Sequence, residues 1–589
     1  MHNRINRSVI GLGLCMVGIL STVIWALPRG LDLTDESFYF IHIYYPNRYA
    51  TLYGFGVIYH QLFSAFTYDV LDLRYAKLGQ GIAEATIFGL TFVHFFYKQA
   101  DFKNKAIIFL ALFCVNFVGF SLFLPTVSYN DLNNFLTALA TACLLLSFSF
   151  LAKENAASSR IPPYFWLLGS GFFTGFNFFN KASASLALTL LIWLVLVYFY
   201  GRDGRKLFRC WVVWTGGYGL ALIGYFWFFQ PFSEWSASYS EGLRGKGQQF
   251  SLLALLGWYA YFLARIGLFL AAIVAPWVLL YARWFRKLRA QLSPRYRSLL
   301  TVGSMIWSTG FILGSKLIWG GKAAFGKLSL VYLLIILAQL IWLDARLQAR
   351  QTAWKTAWQH HRTTWIWLLF FFLVPFACCI GSGNSLTRQA AFHVLFWGAS
   401  ILLLNQILRA QDHRADLVPL GLGLLVTFQI LTGTRDPYSA SVLIEKPVTL
   451  FEQTTFPTDL YGLGRIRLDP QSRQAYQQIN QLVNQYRNRI ANQAIFYDLP
   501  GLNFITQTVS PGTEWYFHGY DEFLCYSLSQ TGFSSQKFPL IAYLDKRRPS
   551  ETAQRCFREK QWLVTGQYHR VASIYLASQR DTLHVFVPK

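Results

Sequence analysis

The sequence predicts an α-helical protein that crosses a membrane many times and carries an α/β domain at its C-terminal end. Three observations carry this expectation. Of its 589 residues 54% are hydrophobic and 18% aromatic, while only 14% are charged; a soluble domain has about 25% charged residues. The apolar residues fall in runs of about twenty, the length that spans a bilayer as a helix. From residue 435 onward the composition turns ordinary, with 17 Lys/Arg against 13 Asp/Glu. Disordered, collagen-like and small disulfide-scaffold classes are excluded by the same figures.

About thirteen spans are expected, near residues 8–27, 76–97, 106–124, 132–152, 163–180, 182–200, 210–230, 252–281, 299–319, 328–345, 364–381, 390–408 and 415–433. The first lacks an Ala-x-Ala cleavage site, so it reads as a retained helix and not a signal peptide. The chain's net charge of +24 resides mainly in this membrane part, which holds 35 basic and 15 acidic residues. With the N-terminus in the cytoplasm, 23 of those 35 basic residues fall on the cytoplasmic side, among them Arg4, Arg7, Lys98, Arg202, Arg286 and Arg409. Lys and Arg are retained there, so the surplus reports topology and calls for no nucleic-acid partner. An odd number of spans then places 435–589 outside the cytoplasm. Two domains follow, 1–434 in the membrane and 435–589 outside, in the inner membrane of a cell envelope.

Six cysteines (Cys15, Cys114, Cys143, Cys210, Cys378, Cys379) lie in apolar runs as small buried hydrophobes. Cys525 and Cys556 are the two in the external domain, where an oxidising compartment permits them either to pair or to stay free.

The outward segment 28–75 is longer than a connection requires. It opens with Asp32, Thr34, Asp35 and Glu36 and continues through the aromatic stretch Phe38 to Tyr45, which suggests short helices along the membrane surface. Thr34 caps such a helix, with Asp35 and Glu36 in its first turn, favourable to the helix dipole. A carboxylate just beyond the first span also suits a general base acting on a hydroxyl acceptor.

Asp35-Glu36 after the first span resembles the Asp-Glu signature of the GT-C superfamily of membrane glycosyltransferases, and the overall plan is similar to that of protein O-mannosyltransferases and aminoarabinose transferases. That resemblance implies a GT-C-like fold with a long first external loop and an external C-terminal domain. In its second external loop the family has an acid near the acceptor; Pro125 to Asp131 is similar, and makes Asp131 the second acid or, alternatively, a helix N-terminal carboxylate. Phe178-Phe179-Asn180-Lys181 resembles a stretch in which a family lysine faces the carrier phosphate. Gly169, Gly171 and Gly175 before it allow close helix approach, and Lys181 either serves that phosphate or snorkels to the interface.

Two further features suit the same anion: Lys316, with Lys322 beyond it, and the loop Gly381 to Gln389. There Asn384 and its Gly/Ser neighbours can present backbone amides, and Arg388 adds a forked cation. Glu84 is the one acid well inside an apolar run and requires a partner or protonation; it either pairs with Arg74 or Lys77 or faces the cavity. The loop from Glu234 to Gln249 either gates substrate or is simply solvated.

Externally, Tyr476, Ile479, Leu482, Val483 and Tyr486 recur at helical spacing within 470–493. Short β-like runs follow at 494–498, 504–509, 539–544, 571–578 and 582–588, the last two forming a hairpin. Trp515, Tyr516, His518, Tyr520, Asp521 and Glu522 form either a sugar-stacking cluster or a packed loop. There is no Gly-x-x-x-x-Gly-Lys-Ser/Thr, Gly-x-Gly-x-x-Gly or zincin motif, and no Trp-Trp-Asp signature.

The expected function is inverting transfer of a sugar from a polyprenyl-phosphate donor to a hydroxyl of a lipid, glycan or protein acceptor at the outer face of the cytoplasmic membrane. Asp35 would orient or deprotonate the acceptor, Glu36 and Asp131 would complete an acidic rim, and Lys181, Arg388 and Lys316 would stabilise the leaving phosphate. No cofactor is required, although a divalent metal held by the acids remains open. The alternatives are a transporter or lipid flippase, and a polysaccharide polymerase or ligase using a lipid-diphosphate donor.

Overall fold

The computed structural model describes residues 2–49, 51–122, 125–151, 163–247, 252–281, 328–349, 354–381, 386–409, 413–435, 448–516, 521–530, 538–563 and 567–589, with scattered positions between 291 and 310. A helical bundle dominates, made of α1 (His2–Ala26), α4 (Val70–Phe96), α5 (Phe102–Asn116), α6 (Tyr129–Leu151), α7 (Pro163–Tyr200), α8 (Gly204–Phe228), α10 (Leu252–Tyr281) and α11 (Leu328–Ala349), then α13 (Arg362–Cys379), α15 (Val394–Arg409) and α16 (Val418–Arg435). Shorter helices join them: α2 (Asp35–Tyr44), α3 (Phe55–Phe63), α9 (Phe232–Gly247), α12 (Trp354–His360) and α14 (Leu386–Ala390). The protein is therefore a polytopic helical membrane protein with a small C-terminal domain.

Among the described residues nine helices are long and apolar enough to cross a membrane, or ten with the bent pair Gly204–Phe228 and Phe232–Arg244 as one span. The difference from the thirteen expected segments traces to four places, of which the bent pair is one. The runs 163–180 and 182–200 are counted once among those nine, as α7, 38 residues long, but they are two helical halves interrupted at Lys181, where φ is −154° and ψ 86°. A straight helix of that length would measure about 57 Å, beyond the about 40–45 Å of a bilayer with its headgroups. The Ser185 hydroxyl donates to the carbonyl of Thr174 at 2.7 Å, so the chain reverses at Lys181 and the two halves run side by side. Helix α4 is 27 residues long but carries Asp72, Arg74, Lys77 and Glu84. Most of 299–319 lies outside the described residues.

Glycines let α7 and α8 touch along their backbones. A Cβ on Gly171 would come within 1.9 Å of the Trp214 carbonyl oxygen, one on Gly175 within 2.6 Å of that of Tyr218, and one on Gly217 within 2.0 Å of that of Leu168. Small residues at such crossings permit the approach that drives helix association in lipid, where no hydrophobic force separates helix from tail. Of the expected loop from Glu234 to Gln249, the part to Gly247 lies in the helix α9, bent 101° from α8. Trp235 and Tyr239, four residues apart, stack at 5.0 Å on its one aromatic face.

The first loop and the C-terminal domain meet at one end of the bundle. The amide of Gly30 donates to the carbonyl of Arg467 and that of Arg467 to Pro28, both at 2.7 Å. Helix α2 buries seven of its ten residues. It does not lie on the membrane with one face in lipid, because α18 (Pro500–Ile505) covers it, with the rings of Phe40 and Phe504 4.3 Å apart. Of the run 504–509, expected as a strand, Phe504 and Ile505 end this short helix, which has Pro500 at its start; Val509 makes an isolated bridge to Gln493.

The remaining domain is a four-stranded sheet in the order β1 (Ala494–Phe496), β2 (Leu540–Leu544), β4 (Asp581–Pro588), β3 (Tyr568–Leu576). β1 and β2 are parallel, and β3 and β4 form the expected hairpin. Helix α17 (Pro470–Tyr486) carries Tyr476, Ile479 and Val483 on its buried face. Cys525 on α19 (Asp521–Gln530) is joined to Cys556 on α20 (Glu551–Glu559) by a disulfide.

Gly171→Ala should force α7 and α8 apart and destabilise the bundle by about 1–3 kcal/mol, as overpacking does. Gly216→Ala on the same helix pair, where a Cβ meets nothing within 4 Å, should be neutral or stabilising by up to about 1 kcal/mol. Unfolding midpoints in detergent compare the two, and equal midpoints would contradict the close crossing.

Candidate functional site

Asp35 and Glu36 are adjacent in sequence but occupy opposite surroundings. Glu36 is fully buried. Its Oε1 lies 2.8 Å from Arg74 Nε and its Oε2 2.8 Å from Arg74 Nη2. The Thr126 hydroxyl donates to Oε1 at 2.7 Å, and the Asp32 amide to Oε2 at 3.1 Å. Arg74, equally buried, also donates to the carbonyls of Leu27, Arg29 and Gly30. Removing either partner would strand an uncompensated charge at a cost of about 3–5 kcal/mol. Glu36 is thus engaged inside the protein and does not face the open rim with Asp35. The Thr34 hydroxyl, for its part, donates to Asp32 at 2.6 Å and makes no cap bond to α2.

Asp35 sits one position on, about 100° around the helix, and remains accessible. Its Oδ2 lies 3.6 Å from Arg388 Nη2, with the two side chains 28% and 43% exposed. Arg388 belongs to α14, whose first residue is Leu386, so the tertiary fold brings the first loop and the short helix that follows α13 to one place. Tyr39, one turn beyond Asp35, packs edge-on against Tyr129 at 5.9 Å, and Tyr129 stacks on Tyr53 at 4.2 Å. Burial first, then Tyr129, Asp35 and Asp131, push the Tyr39 phenol well above its ordinary value. Tyr39 therefore stays a neutral hydroxyl donor between two acids.

Asp131 lies in the first turn of α6. Its Oδ1 is 3.0 Å from Lys77 Nζ, and its Oδ2 accepts from the Ser128 hydroxyl at 2.6 Å. Lys181, buried at the reversal of α7, donates to the carbonyl of Cys378 at 2.6 Å and lies 5.9 Å from the centre of the Tyr129 ring. It does not snorkel. Four of the expected residues, Asp35, Asp131, Lys181 and Arg388, thus gather around Tyr39 and Tyr129.

Glu84 pairs with neither cation near it in sequence, because Arg74 is held by Glu36 and Lys77 by Asp131. Lys77 is seven residues, about 10 Å, up the helix from it. Glu84 accepts instead from Asn134. From there a buried ladder of polar groups runs back toward the site. His393 Nδ1 meets Asn134 Oδ1 at 2.9 Å, and its Nε2 meets Asn133 at 3.3 Å. Asn177 donates to Asn133 at 2.7 Å, Asn180 to Asn177 at 3.1 Å, and Asn180 also to the Tyr129 carbonyl at 2.9 Å. Sequence reasoning missed this ladder, although Asn130, Asn133 and Asn134 at helical spacing inside an apolar run were a visible signal.

Lys316, Asn384, Lys322 and the Ser382–Ser385 stretch lie outside the described residues, as do His518 and Tyr520. Three other members of the cluster pack: the Tyr516 hydroxyl is bonded to the Pro511 carbonyl, Trp515 lies 5.8 Å from Phe38, and Asp521 accepts from Tyr497 at 3.1 Å and Ser550 at 2.7 Å. Among the described residues no three His, Cys, Asp or Glu side chains converge as metal ligands. Asp35 and Asp131 are each matched by a fixed cation, so a divalent ion between them would compete with Arg388 and Lys77.

No protein-family model matches the chain, and no curated protein matches it significantly. Among solved structures it is similar to an oligosaccharyltransferase from Archaeoglobus fulgidus, solved in complex with Zn and sulfate, at a TM-score of 0.45 and 12% identity, over 91% of this chain and 68% of that one.

Next to the site, His42 Nε2 and Glu514 Oε1 lie 3.0 Å apart and join α2 to the C-terminal domain. Burial works to raise the Glu514 carboxyl, but the charge and hydrogen bond of His42, with the Thr513 hydroxyl, outweigh it and hold the group below its ordinary value. A carboxylate depressed on folding stabilises above about pH 4 and loses that contribution as pH falls through its folded value. Amide exchange at 511–516 should therefore stay protected in mild acid and rise only below about pH 4. Glu514→Gln should remove this acid limb; an identical pH profile in the variant would show that the pair does not hold the interface.

Proposed function

We propose that the protein is a GT-C-type glycosyltransferase that moves a sugar, with inversion, from a polyprenyl-phosphate carrier to an acceptor hydroxyl at the outer face of the cytoplasmic membrane. Its N-terminus is cytoplasmic and its C-terminal domain extracytoplasmic, in keeping with the distribution of basic residues. The observation that carries this reading is the accessible Asp35 carboxylate set 3.6 Å from the Arg388 guanidinium, with the buried Lys181 ammonium nearby, at the end of the bundle that bears the first loop.

In this reading Arg388 binds the carrier phosphate, which draws it from Asp35 and releases the carboxylate for the acceptor. Asp35 then accepts a hydrogen bond from the acceptor hydroxyl and takes its proton as the hydroxyl oxygen attacks the anomeric carbon. The bond from that carbon to the phosphate oxygen breaks on the opposite face, and the electron pair leaves with the carrier phosphate. Arg388, and Lys181 from beneath Tyr129, offset the charge that grows there; Lys316 and Asn384 are proposed to assist on the sequence resemblance. Tyr39 donates from between Asp35 and Asp131 and orients the acceptor, while Asp131, held by Lys77, keeps the floor of the site polar. Fixed cations of this kind suffice for a monophosphate leaving group. The acceptor is a lipid, glycan or protein hydroxyl, and both substrates reach the site from the membrane surface.

The test is transfer of radiolabelled sugar from a panel of polyprenyl-phosphate sugars in membranes, with wild type and Asp35→Asn at equal expression. Asp35→Asn should lower transfer by about 10²–10⁴-fold, the usual contribution of a general base, and Arg388→Ala should raise the KM for the donor. No transfer from any donor, with movement of lipid or solute instead, would turn the reading to a transporter or flippase; transfer from diphosphate donors alone would turn it to a polymerase or ligase.

A further inference from the structure

A concave site lies apart from Asp35, where the C-terminal domain meets the start of α4. It is a cleft of about 540 Å³ whose walls include Asp69, Asp459, Tyr461, Asn480, Asn484 and Arg487, a volume within the range of small-ligand sites. Those walls are mainly polar, unlike the apolar lining that suits a lipid chain. We infer that this cleft binds an uncharged, hydroxyl-rich oligosaccharide; that this oligosaccharide is the acceptor rests on the glycosyl transfer proposed above.

The polar groups are held in place before any ligand arrives. Asn480 and Asn484 are one turn apart on α17, hence on the same face. Arg487 donates to Asn484 and, at 2.6 and 2.8 Å, to Asn492 and the Thr506 carbonyl. Asp459 accepts from Gln477 at 2.6 Å, and both oxygens of Asp69 accept from Arg465 at 2.6 Å. Such preorganisation removes ordering cost from binding.

The charges decide the ligand class. The fork of Arg487 is already engaged by protein acceptors and Asp69 is matched by Arg465, so the cleft offers a phosphate or uronate no open cationic fork, while the carboxylate of Asp459 disfavours a second anion. Amides that donate and accept, beside carboxylates that accept, match the adjacent hydroxyls of a neutral sugar. Tyr461 supplies the apolar contact: its ring is 40% exposed and is backed by Phe504 at 5.3 Å and Tyr44 at 6.4 Å. The loop can lie this close because Gly462 has φ +68°, where a Cβ would meet the Phe504 ring at 2.6 Å. Tyr44 ends α2, the ten-residue helix that Asp35 begins, so the ring that backs Tyr461 sits at the opposite end of that helix from Asp35.

The experiment is saturation-transfer NMR on the full chain in lipid nanodiscs, with mannotriose, maltotriose and chitotriose as neutral probes and trigalacturonate as the charged control. At least one neutral trisaccharide should bind saturably and trigalacturonate should not. Tyr461→Ala, and separately the exposed Asn484→Ala, should weaken that binding by at least about tenfold, as loss of an aromatic or polar anchor does, with the unfolding midpoint unchanged. Absence of neutral-sugar binding, preference for trigalacturonate, or equal binding by both cleft variants would overturn the inference. Binding that persists while no donor supports transfer would sink the glycosyltransferase reading and leave the cleft as a sugar site.

Discussion

The buried pair of Arg74 and Glu36 is the constraint on which the rest of this structure depends. A guanidinium and a carboxylate removed from water are tolerable only when their hydrogen-bonding groups are matched, and here the match is made by the end of α1, the first loop, α4 and the segment before α6. Each of those backbones is thereby tied to one point. Because Glu36 is fixed on one side of α2, its neighbour Asp35 must project to another, toward Arg388. One acid of the dipeptide is consumed by architecture so that the other stands accessible with a known orientation.

Beneath that rim the interior uses neutral polar groups where ions would be costly. The ladder from Glu84 through Asn134, His393, Asn133 and Asn177 to Asn180 holds α4, α6, α7 and the turn just before α15 in register. Hydrogen bonds of this kind contribute about 0.6–2 kcal/mol each in lipid, and their directionality specifies which faces meet. The ladder ends beside the reversal of α7, where Lys181 is the single charged side chain at the turn. The glycine crossings of α7 on α8 set how near that turn comes to Tyr129 and Gly54, whose amide bonds the Phe179 carbonyl at 2.8 Å.

The first loop and the C-terminal domain act as one body above the bundle. Phe40 on Phe504, His42 on Glu514 and Gly30 on Arg467 bury most of α2 between them. An element that reads as an interfacial helix is in fact the core of a domain junction, since its aromatic residues found a protein partner in place of headgroups. The same junction creates the polar cleft at Tyr461, which neither part possesses alone.

Composition and run length were sufficient for the class of protein, because twenty apolar residues in a row have no soluble solution, and helical spacing was sufficient for α17 and alternation for the β3–β4 hairpin. Asp35, Asp131, Lys181 and Arg388 were legible as charged residues at the ends of apolar runs, where charge is expensive and so conspicuous. What tertiary structure alone decided is how those charges are partnered. Arg74 and Lys77, nearest to Glu84 along the chain, serve Glu36 and Asp131, and Arg388, more than three hundred residues from Asp35, lies against it. Local sequence dictates helix, burial and cost of charge; the choice of partner depends on which helix ends the packed bundle brings within a few ångströms, and no pattern along one chain encodes that distance.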